Sequence, residues 1–327
     1  MIDYINDFTS HLTEAMEIGE ATKFNNTDRS FSNILICGLG GSGIGGTILN
    51  DIVSVEIDIP ILLSKDYSIP NFVNENTLVV ASSYSGNTEE TIYALEKCVD
   101  KNAEICIITS GGKLKDIAVE NKYNHITIPG GHPPRAMFGY AFVQLFFALN
   151  HYNIISRGFV LDFKSAIKLL KKDKRVIQNK AKELSKIIHQ NTPIIYTAKG
   201  FEGVAVRFRQ QLNENSKMLG WHNVIPEMNH NELLGWRTNV ENLAVIYLRN
   251  KLDFERNQIR MDINQKVISK FTNNITEVWS EGESLIENTL YHINICDWAS
   301  WYISVLNNVD AIEIEVIDYL KAELAKI

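Results

Sequence analysis

Only four cysteines occur in the 327 residues, and none stands in a Cys-x-x-Cys pair or at a zinc-ligand spacing. Cys37 and Cys106 lie inside apolar, strand-like runs, where a thiol behaves as a small hydrophobe. A reducing, cytoplasmic setting is therefore expected. A basic excess is missing too. Lys plus Arg number 32 against 39 Asp plus Glu, a formal charge of −7, so the chain lacks the footprint of a nucleic-acid or anionic-membrane binder. That does not exclude an anionic small molecule, because local dipoles govern a pocket more than net charge does. Long apolar runs are also absent. The most apolar stretch, Ala136 to Leu149, is interrupted by Gln144 and is too short to span a bilayer. Met1 to Asp7 show no basic region followed by an apolar one, so no signal peptide is expected and the protein reads as soluble.

What is present is an alternation of apolar runs and helical stretches, in a chain long enough to suggest two domains. An amphipathic helix is expected over about Ile5 to Ala21. The run Asn33 to Cys37 then enters the turn Gly38-Leu39-Gly40-Gly41-Ser42-Gly43, with a helix over about Ile44 to Val53. Further strands are expected at Ile59 to Leu63, Thr77 to Ala81, Glu104 to Thr109 and His125 to Ile128. Continuous apolar strands separated by helices predict an α/β fold with a parallel sheet covered on both faces. A Lys-rich stretch, Arg157 to His189, reads as a connecting helix. The second half restarts with Pro193 to Ala198, the turn Lys199-Gly200-Phe201-Glu202-Gly203 and a helix over about Val204 to Leu219. Leu243 to Leu248 and Ile275 to Trp279 are strand candidates, and helices over Ser284 to Leu306 and Ile314 to Lys326 close the chain. One architecture is used twice, but only the first half carries a serine-rich turn.

Two turns carry chemistry. Glycines after the first strand let backbone approach a ligand, and the following helix offers free N–H groups to an anion. A dinucleotide site is one reading, since the spacing matches Gly-x-Gly-x-x-Gly and Asp58 lies near the distance of a ribose-binding acid. A nucleoside-triphosphate loop is not, for want of Gly-Lys-Ser/Thr. The second turn, Ser82-Ser83-Tyr84-Ser85-Gly86-Asn87-Thr88, follows a buried strand and opens a helix. Hydroxyls at Ser83, Ser85 and Thr88 can converge on one phosphate without lysine or magnesium. Simple helix capping by Thr88 or Asn87 would explain one polar residue but not three hydroxyls and a glycine together.

These residues, Gly40-Gly41-Ser42 with Ser83 to Glu90, resemble the sugar isomerase (SIS) domain family, and the pairing of two such halves resembles the bifunctional phosphoglucose/phosphomannose isomerases. The resemblance covers essentially the whole chain. It implies two SIS-type domains, each a parallel sheet flanked by helices: residues 1–155 and 191–310, joined by a connecting helix (156–190) and followed by a C-terminal helix (311–327). It implies aldose–ketose isomerisation between glucose 6-phosphate and fructose 6-phosphate through an enediolate. It further implies a homodimer with sites at the subunit interface, and no metal or nucleotide cofactor. It extends phosphate contacts to Ser42 and backbone contacts to Gly40 and Gly41.

Isomerisation needs a base, a cation for the developing oxyanion and groups that open the sugar ring. By resemblance Glu214 is the base and His230 opens the ring. Arg135 stands at the start of an apolar helix, where its charge opposes the helix dipole; the resemblance assigns it the enediolate, and assigns Lys321 a share in ring opening. A metal at Glu227, His230 and Glu232 is a poor zinc set, and His222 reads as structural. One departure stands out: dual-specificity members read Asp-Pro-Thr or Asp-Pro-Ser where this chain has Asp310-Ala311-Ile312, which puts mannose 6-phosphate turnover in question. The competing readings are a non-catalytic phosphosugar sensor, an aminosugar-phosphate isomerase or etherase, and, more distantly, a dehydrogenase.

Overall fold

The computed structural model describes residues 1–238 and 242–326. Its first half runs α1 (Ile2–Asn6), α2 (Phe8–Ala21), β1 (Asn33–Cys37), α3 (Gly40–Val53), β2 (Ile61–Ser64), β3 (Thr77–Ser82), α4 (Glu89–Asp100), β4 (Glu104–Thr109), α5 (Gly112–Glu120), β5 (Asn124–Thr127) and α6 (Phe138–His151). The 30-residue α7 (Phe159–Ile188) leads to the second half. There follow β6 (Thr192–Ala198), α8 (Glu202–Ser216), β7 (Trp221–Ile225), α9 (Glu232–Gly235), β8 (Leu243–Arg249), α10 (Glu255–Ile268), β9 (Ile275–Trp279), α11 (Leu285–Leu306) and α12 (Glu315–Leu324).

Both sheets are parallel. The first has the order β2-β1-β3-β4-β5 and the second β7-β6-β8-β9, so the second half repeats the order of the first, one strand short. The apolar strands alternate between two cores, as a period of two requires. Ile34, Ile36, Leu78 and Val80 face α3 and α6, while Leu35, Val79 and Ile107 face Leu95 of α4 and Leu114 of α5. In the second sheet Ile195 and Ile246 join the first of these cores, and Tyr196 and Tyr247 pack with Met261 of α10 on the other face. One core is therefore continuous between the sheets. The connecting helix is part of it: α7 buries Phe163, Ala166, Leu170, Ile177, Ala181 and Leu184 along one stripe. Phe142 sits at its centre, its ring 4.9 Å from Phe138 and 5.2 Å from Phe146, and burial of each such ring stabilises by roughly 1.5–3 kcal/mol. All four cysteines are free and buried, and desolvation pushes the Cys106 thiol up to about 12. Among the described residues no helix is long and apolar enough to cross a membrane.

Two local expectations are corrected, and two further elements were not expected. The opening helix breaks at Asp7 into α1 and α2. α3 begins at Gly40 rather than Ile44, because close packing overrides the low helix propensity of glycine: a Cβ on Gly43 would lie 2.1 Å from the Gly38 carbonyl oxygen. β7 and α10 had no clear sequence signal, since β7 is a half-exposed edge strand and α10 is mostly polar.

The halves meet where α8 presses on α3. A Cβ on Gly203 would lie 2.7 Å from Ile48 Cγ1, and Asp51 of α3 accepts a hydrogen bond from the Gly203 N–H at 2.7 Å. That bond satisfies one of the orphan donors at the start of α8. Burial raises the Asp51 pKa to about 6, with the Gly203 bond pulling the other way. A raised carboxyl pKa means that the folded state takes up the proton first. This group's contribution is thus greatest below the ordinary carboxyl range and is lost as pH rises through about 6. Asp51→Asn keeps the acceptor and removes the buried charge. It is expected to gain about 1–3 kcal/mol over the wild type in urea unfolding at pH 8, the gain shrinking towards pH 4.5; a loss at pH 8 would contradict the assignment.

Candidate active site

The serine turn after β3 is held by its own hydroxyls. Ser83 Oγ and Thr88 Oγ1 lie 2.7 Å apart, the Gly86 N–H donates to Ser83 Oγ at 3.2 Å, and the Asn87 N–H donates to Ser85 Oγ at 3.2 Å. Thr88 is the N-cap of α4, yet no side chain caps that helix, so the hydroxyl count is not explained by capping. Ser83 and Thr88 own two hydroxyl protons and use one between them. The other is free to point at an anion, beside the uncapped amides of α4. Gly86, at φ 70°, makes the reversal possible: a Cβ there would stand 1.8 Å from the Gly111 carbonyl oxygen.

The glycine turn after β1 connects this cradle to the other candidates. Ser42 Oγ accepts from the Tyr84 N–H at 2.9 Å, so its hydroxyl braces the serine turn. Gly40 has φ 51°, and a Cβ on Gly41 would lie 3.2 Å from both N and Cα of Arg135. Tyr84 provides a second tie. Its carbonyl oxygen accepts from Ser110 Oγ at 2.6 Å, and its phenol oxygen accepts from the His132 N–H at 3.2 Å. The dinucleotide reading fails on topology. Asp58 precedes β2, whose register with β1 pairs Ile34 with Ile61, so it lies at the opposite end of the strands from the glycine turn.

Arg135 lies in the 3₁₀ turn Pro134–Met137 that enters α6, and it is only 3% exposed. Its charge does not sit at the head of α6 facing solvent; it turns inward to the C-terminal end of α8, where a helix dipole favours a cation. Nε donates to Asn215 Oδ1 at 2.8 Å, and Nη2 donates to the carbonyl oxygens of Ala311 and Ile312 at 2.6 and 3.2 Å. Nη1 lies 3.4 Å from Glu214 Oε2. Burial lowers the guanidinium pKa, and Glu214, Asp310 and Glu313 raise it again. Lys217, at the left-handed end of α8, donates to the carbonyl oxygens of Glu214 and Glu313, both at 2.6 Å. A cleft of about 510 Å³ opens beside Glu214, with Leu219, Ile314 and Ile317 on its walls.

The structure thus brings Ser42, Ser83, Thr88, Gly41, Arg135 and Glu214 into one contiguous site, with Gly40 and Ser85 on its rim. His230 is not joined to these residues, and Lys321 stands one helical turn beyond Ile317 of the cleft wall. Among the described residues neither makes a hydrogen bond or ion pair with Arg135 or Glu214, and both are exposed. His230 ends a 3₁₀ turn after β7, anchored by its neighbour Glu232. Glu232 accepts from Tyr196 OH at 2.6 Å, Trp221 Nε1 at 3.0 Å and Asn223 Nδ2 at 2.6 Å, so its oxygens are already engaged. His222 is half-buried and its pKa is lowered by desolvation and by Arg209, in line with a structural residue. Sequence reasoning missed Asn215 and Tyr84. A polar stripe at Arg207, Gln211 and Asn215, four residues apart on a helix, was the available signal for the first.

The family profile described as the bacterial phospho-glucose isomerase C-terminal SIS domain matches residues 177–324, and that of the SIS domain matches residues 64–151. A bifunctional phosphoglucose/phosphomannose isomerase of Caldicellulosiruptor bescii is 35% identical over 100% of this chain and 99% of its own length. One of Thermoplasma acidophilum is 33% identical over 97% and 99%. Among solved structures, the C-terminal domain of glucosamine-fructose-6-phosphate aminotransferase from Francisella tularensis superposes with a TM-score of 0.76 at 13% identity, covering 96% of this chain and 97% of that one. At that identity the likeness speaks for the fold alone.

Thr88→Val removes one hydroxyl of the Ser83 pair while keeping its shape. It is expected to weaken inhibition or binding by inorganic phosphate about tenfold, one charge-assisted hydrogen bond, with stability held within about 1 kcal/mol. Unchanged phosphate affinity by titration would place the anion elsewhere.

Proposed function

The chain belongs to the family of bifunctional phosphoglucose/phosphomannose isomerases, and from that premise we infer how its site works. It is an aldose–ketose isomerase that interconverts glucose 6-phosphate and fructose 6-phosphate. A sensor has no use for a base beside a buried guanidinium, so the sensor reading is not favoured; nor are the aminosugar and dehydrogenase readings. The observation that carries the mechanism is the Arg135–Glu214 pair, 3.4 Å apart and contiguous with the hydroxyl turn through Gly41 and Ser42.

The phosphate rests on Ser83, Ser85, Thr88 and the amides of α4, which places carbons 1 and 2 towards α8. Glu214 takes the proton from carbon 2 of the open-chain aldose and returns it to carbon 1, while the hydroxyl proton of the carbon-2 oxygen passes to the carbon-1 oxygen and leaves a carbonyl at carbon 2. Charge develops on the neighbouring oxygen as the enediolate forms, and the Arg135 guanidinium meets it. In that dry setting the attraction is stronger than in water, and Asn215 and the two carbonyls hold the guanidinium before the charge appears. Ring opening falls to His230 with Lys321. Glucose and mannose 6-phosphate lose their carbon-2 proton to give the same enediol, so epimer choice depends on which face Glu214 reprotonates. Ile312 stands near that choice, its carbonyl being a ligand of Arg135.

A second copy of the chain completes the site. α12 buries none of its residues and exposes Val316, Ile317, Leu320 and Leu324, an apolar stripe at helical spacing that supports packing against another molecule. His230 would reach the cleft from such a partner, whereas Lys321 stands one helical turn beyond Ile317 of the cleft wall. In sedimentation the protein is expected to run as a dimer. Leu320→Glu is expected to give a folded monomer with at least tenfold lower turnover; an active monomer would contradict the shared site.

The activity test is fructose 6-phosphate in deuterated water, followed by NMR. Glucose 6-phosphate carrying deuterium at carbon 2 is expected. Glu214→Gln should lose about 10²–10⁴-fold in turnover, the usual worth of a general base. Mannose 6-phosphate should appear more slowly than glucose 6-phosphate and faster in Ile312→Thr. A fully active Glu214→Gln would remove the base assignment.

A further inference from the structure

Arg135 is held at both ends by one closed circuit of buried groups, none of them among the candidates raised by the sequence. On the side-chain end, Nε donates to Asn215 Oδ1 at 2.8 Å. Asn215 Nδ2 donates to Ser300 Oγ at 2.9 Å, and Ser300 Oγ donates its one proton to the Asp297 carbonyl oxygen at 2.8 Å. From Asp297 the circuit returns: its carboxylate accepts from Arg207 Nη2 at 2.7 Å, and the same nitrogen donates to the Arg135 carbonyl oxygen at 3.2 Å. Gln211 Nε2 occupies the other Asp297 oxygen at 2.9 Å, and the Arg207 guanidinium lies over the Phe138 ring at 4.4 Å. Asn215 and Ser300 are fully buried, and Arg207 and Asp297 nearly so.

The direction of each bond is fixed by proton counting. Ser300 has one hydroxyl proton and spends it on the Asp297 carbonyl oxygen, so towards Asn215 it can only accept. The Asn215 amide must therefore turn its nitrogen to Ser300 and its oxygen to Arg135. The neutral oxygen orients the guanidinium without cancelling its charge.

We infer that Asn215 is a positioning residue for the isomerisation, set by Ser300, which aims the Arg135 charge at the reacting oxygens and, being neutral, adds no counter-charge to that of Glu214. The inference rests on the enediolate role of Arg135 and extends it to α8 and α11. Phosphate binding is a separate function of the Ser83–Thr88 turn and should not depend on the circuit.

The test is Asn215→Asp, an isosteric change that sets a carboxylate against the guanidinium and takes away the donor to Ser300. Steady-state kinetics with fructose 6-phosphate should show kcat lowered about 10–100-fold with KM changed less than twofold. A hydroxamate analogue of the enediolate should bind more weakly by a similar factor, and inhibition by inorganic phosphate should be unchanged. Ser300→Ala, which removes only the group that orients the amide, should show the same split at about 3–10-fold. It also serves if Asn215→Asp does not fold. A purely structural role would lower stability and phosphate binding together while leaving the kcat of the folded fraction intact; that result, or an unchanged kcat in both variants, overturns the inference and leaves the isomerase reading standing. A wild type without isomerase activity overturns both.

Discussion

A guanidinium that is 3% exposed cannot stand in a protein interior without compensation. The compensation of Arg135 comes from two distant stretches of chain, α8 and the segment before α12. Asn215 and Glu214 end α8, the carbonyls of Ala311 and Ile312 come from the segment before α12, and Arg207 holds the arginine's own backbone. The first half supplies the charge and the second half supplies its ligands. Folding the two halves against one continuous core is thus what makes the charge tenable. The same contact delivers a carboxylate to its side, so the constraint that fixes the fold also builds the reaction centre.

The repeat of the architecture has not produced two equivalent sites, and the structure shows why. In the second half the turn corresponding to Ser83–Thr88 runs from Asn250 to Asp253. There Asp253 takes up the corner itself, accepting from Asn250 Nδ2 at 2.8 Å, with burial raising its pKa to about 6. The start of α8 is served by Asp51. An internal carboxylate at each position repels a phosphate, whereas the α4 turn offers hydroxyls and uncapped amides. The second half has become the carrier of the base and of the groups around Arg135.

Much of this was legible in the order of residues. Runs such as Asn33 to Cys37 and Leu243 to Leu248 have no polar face to give to water, which is why both sheets could be read as covered on two sides. The glycine and serine turns announce themselves because backbone reversal next to a helix start tolerates few residue types. β7 was not legible, as an edge strand composed of Trp221, His222 and Asn223 looks like a loop. Nor were the ligands of Arg135: residues 135, 215 and 311 are brought together by tertiary packing alone, and no local pattern records that. Asp297 did leave a trace, a lone charge inside the apolar run Ile293 to Ala299. A charge so placed requires a partner, and Arg207 is that partner at 2.7 Å.

The central claim is that one site, spanning both halves, takes the phosphate at the first half's serine turn and performs the proton transfer at the second half's Glu214. A crystal structure of the protein with fructose 6-phosphate bound to Glu214→Gln tests it most directly. The account predicts phosphate oxygens within hydrogen-bond distance of Ser83 and Thr88, about 3 Å, with carbons 1 and 2 between residue 214 and the Arg135 guanidinium. Phosphate seated instead at the Asn250–Asp253 turn, or a sugar whose carbons 1 and 2 lie away from Arg135, would contradict it.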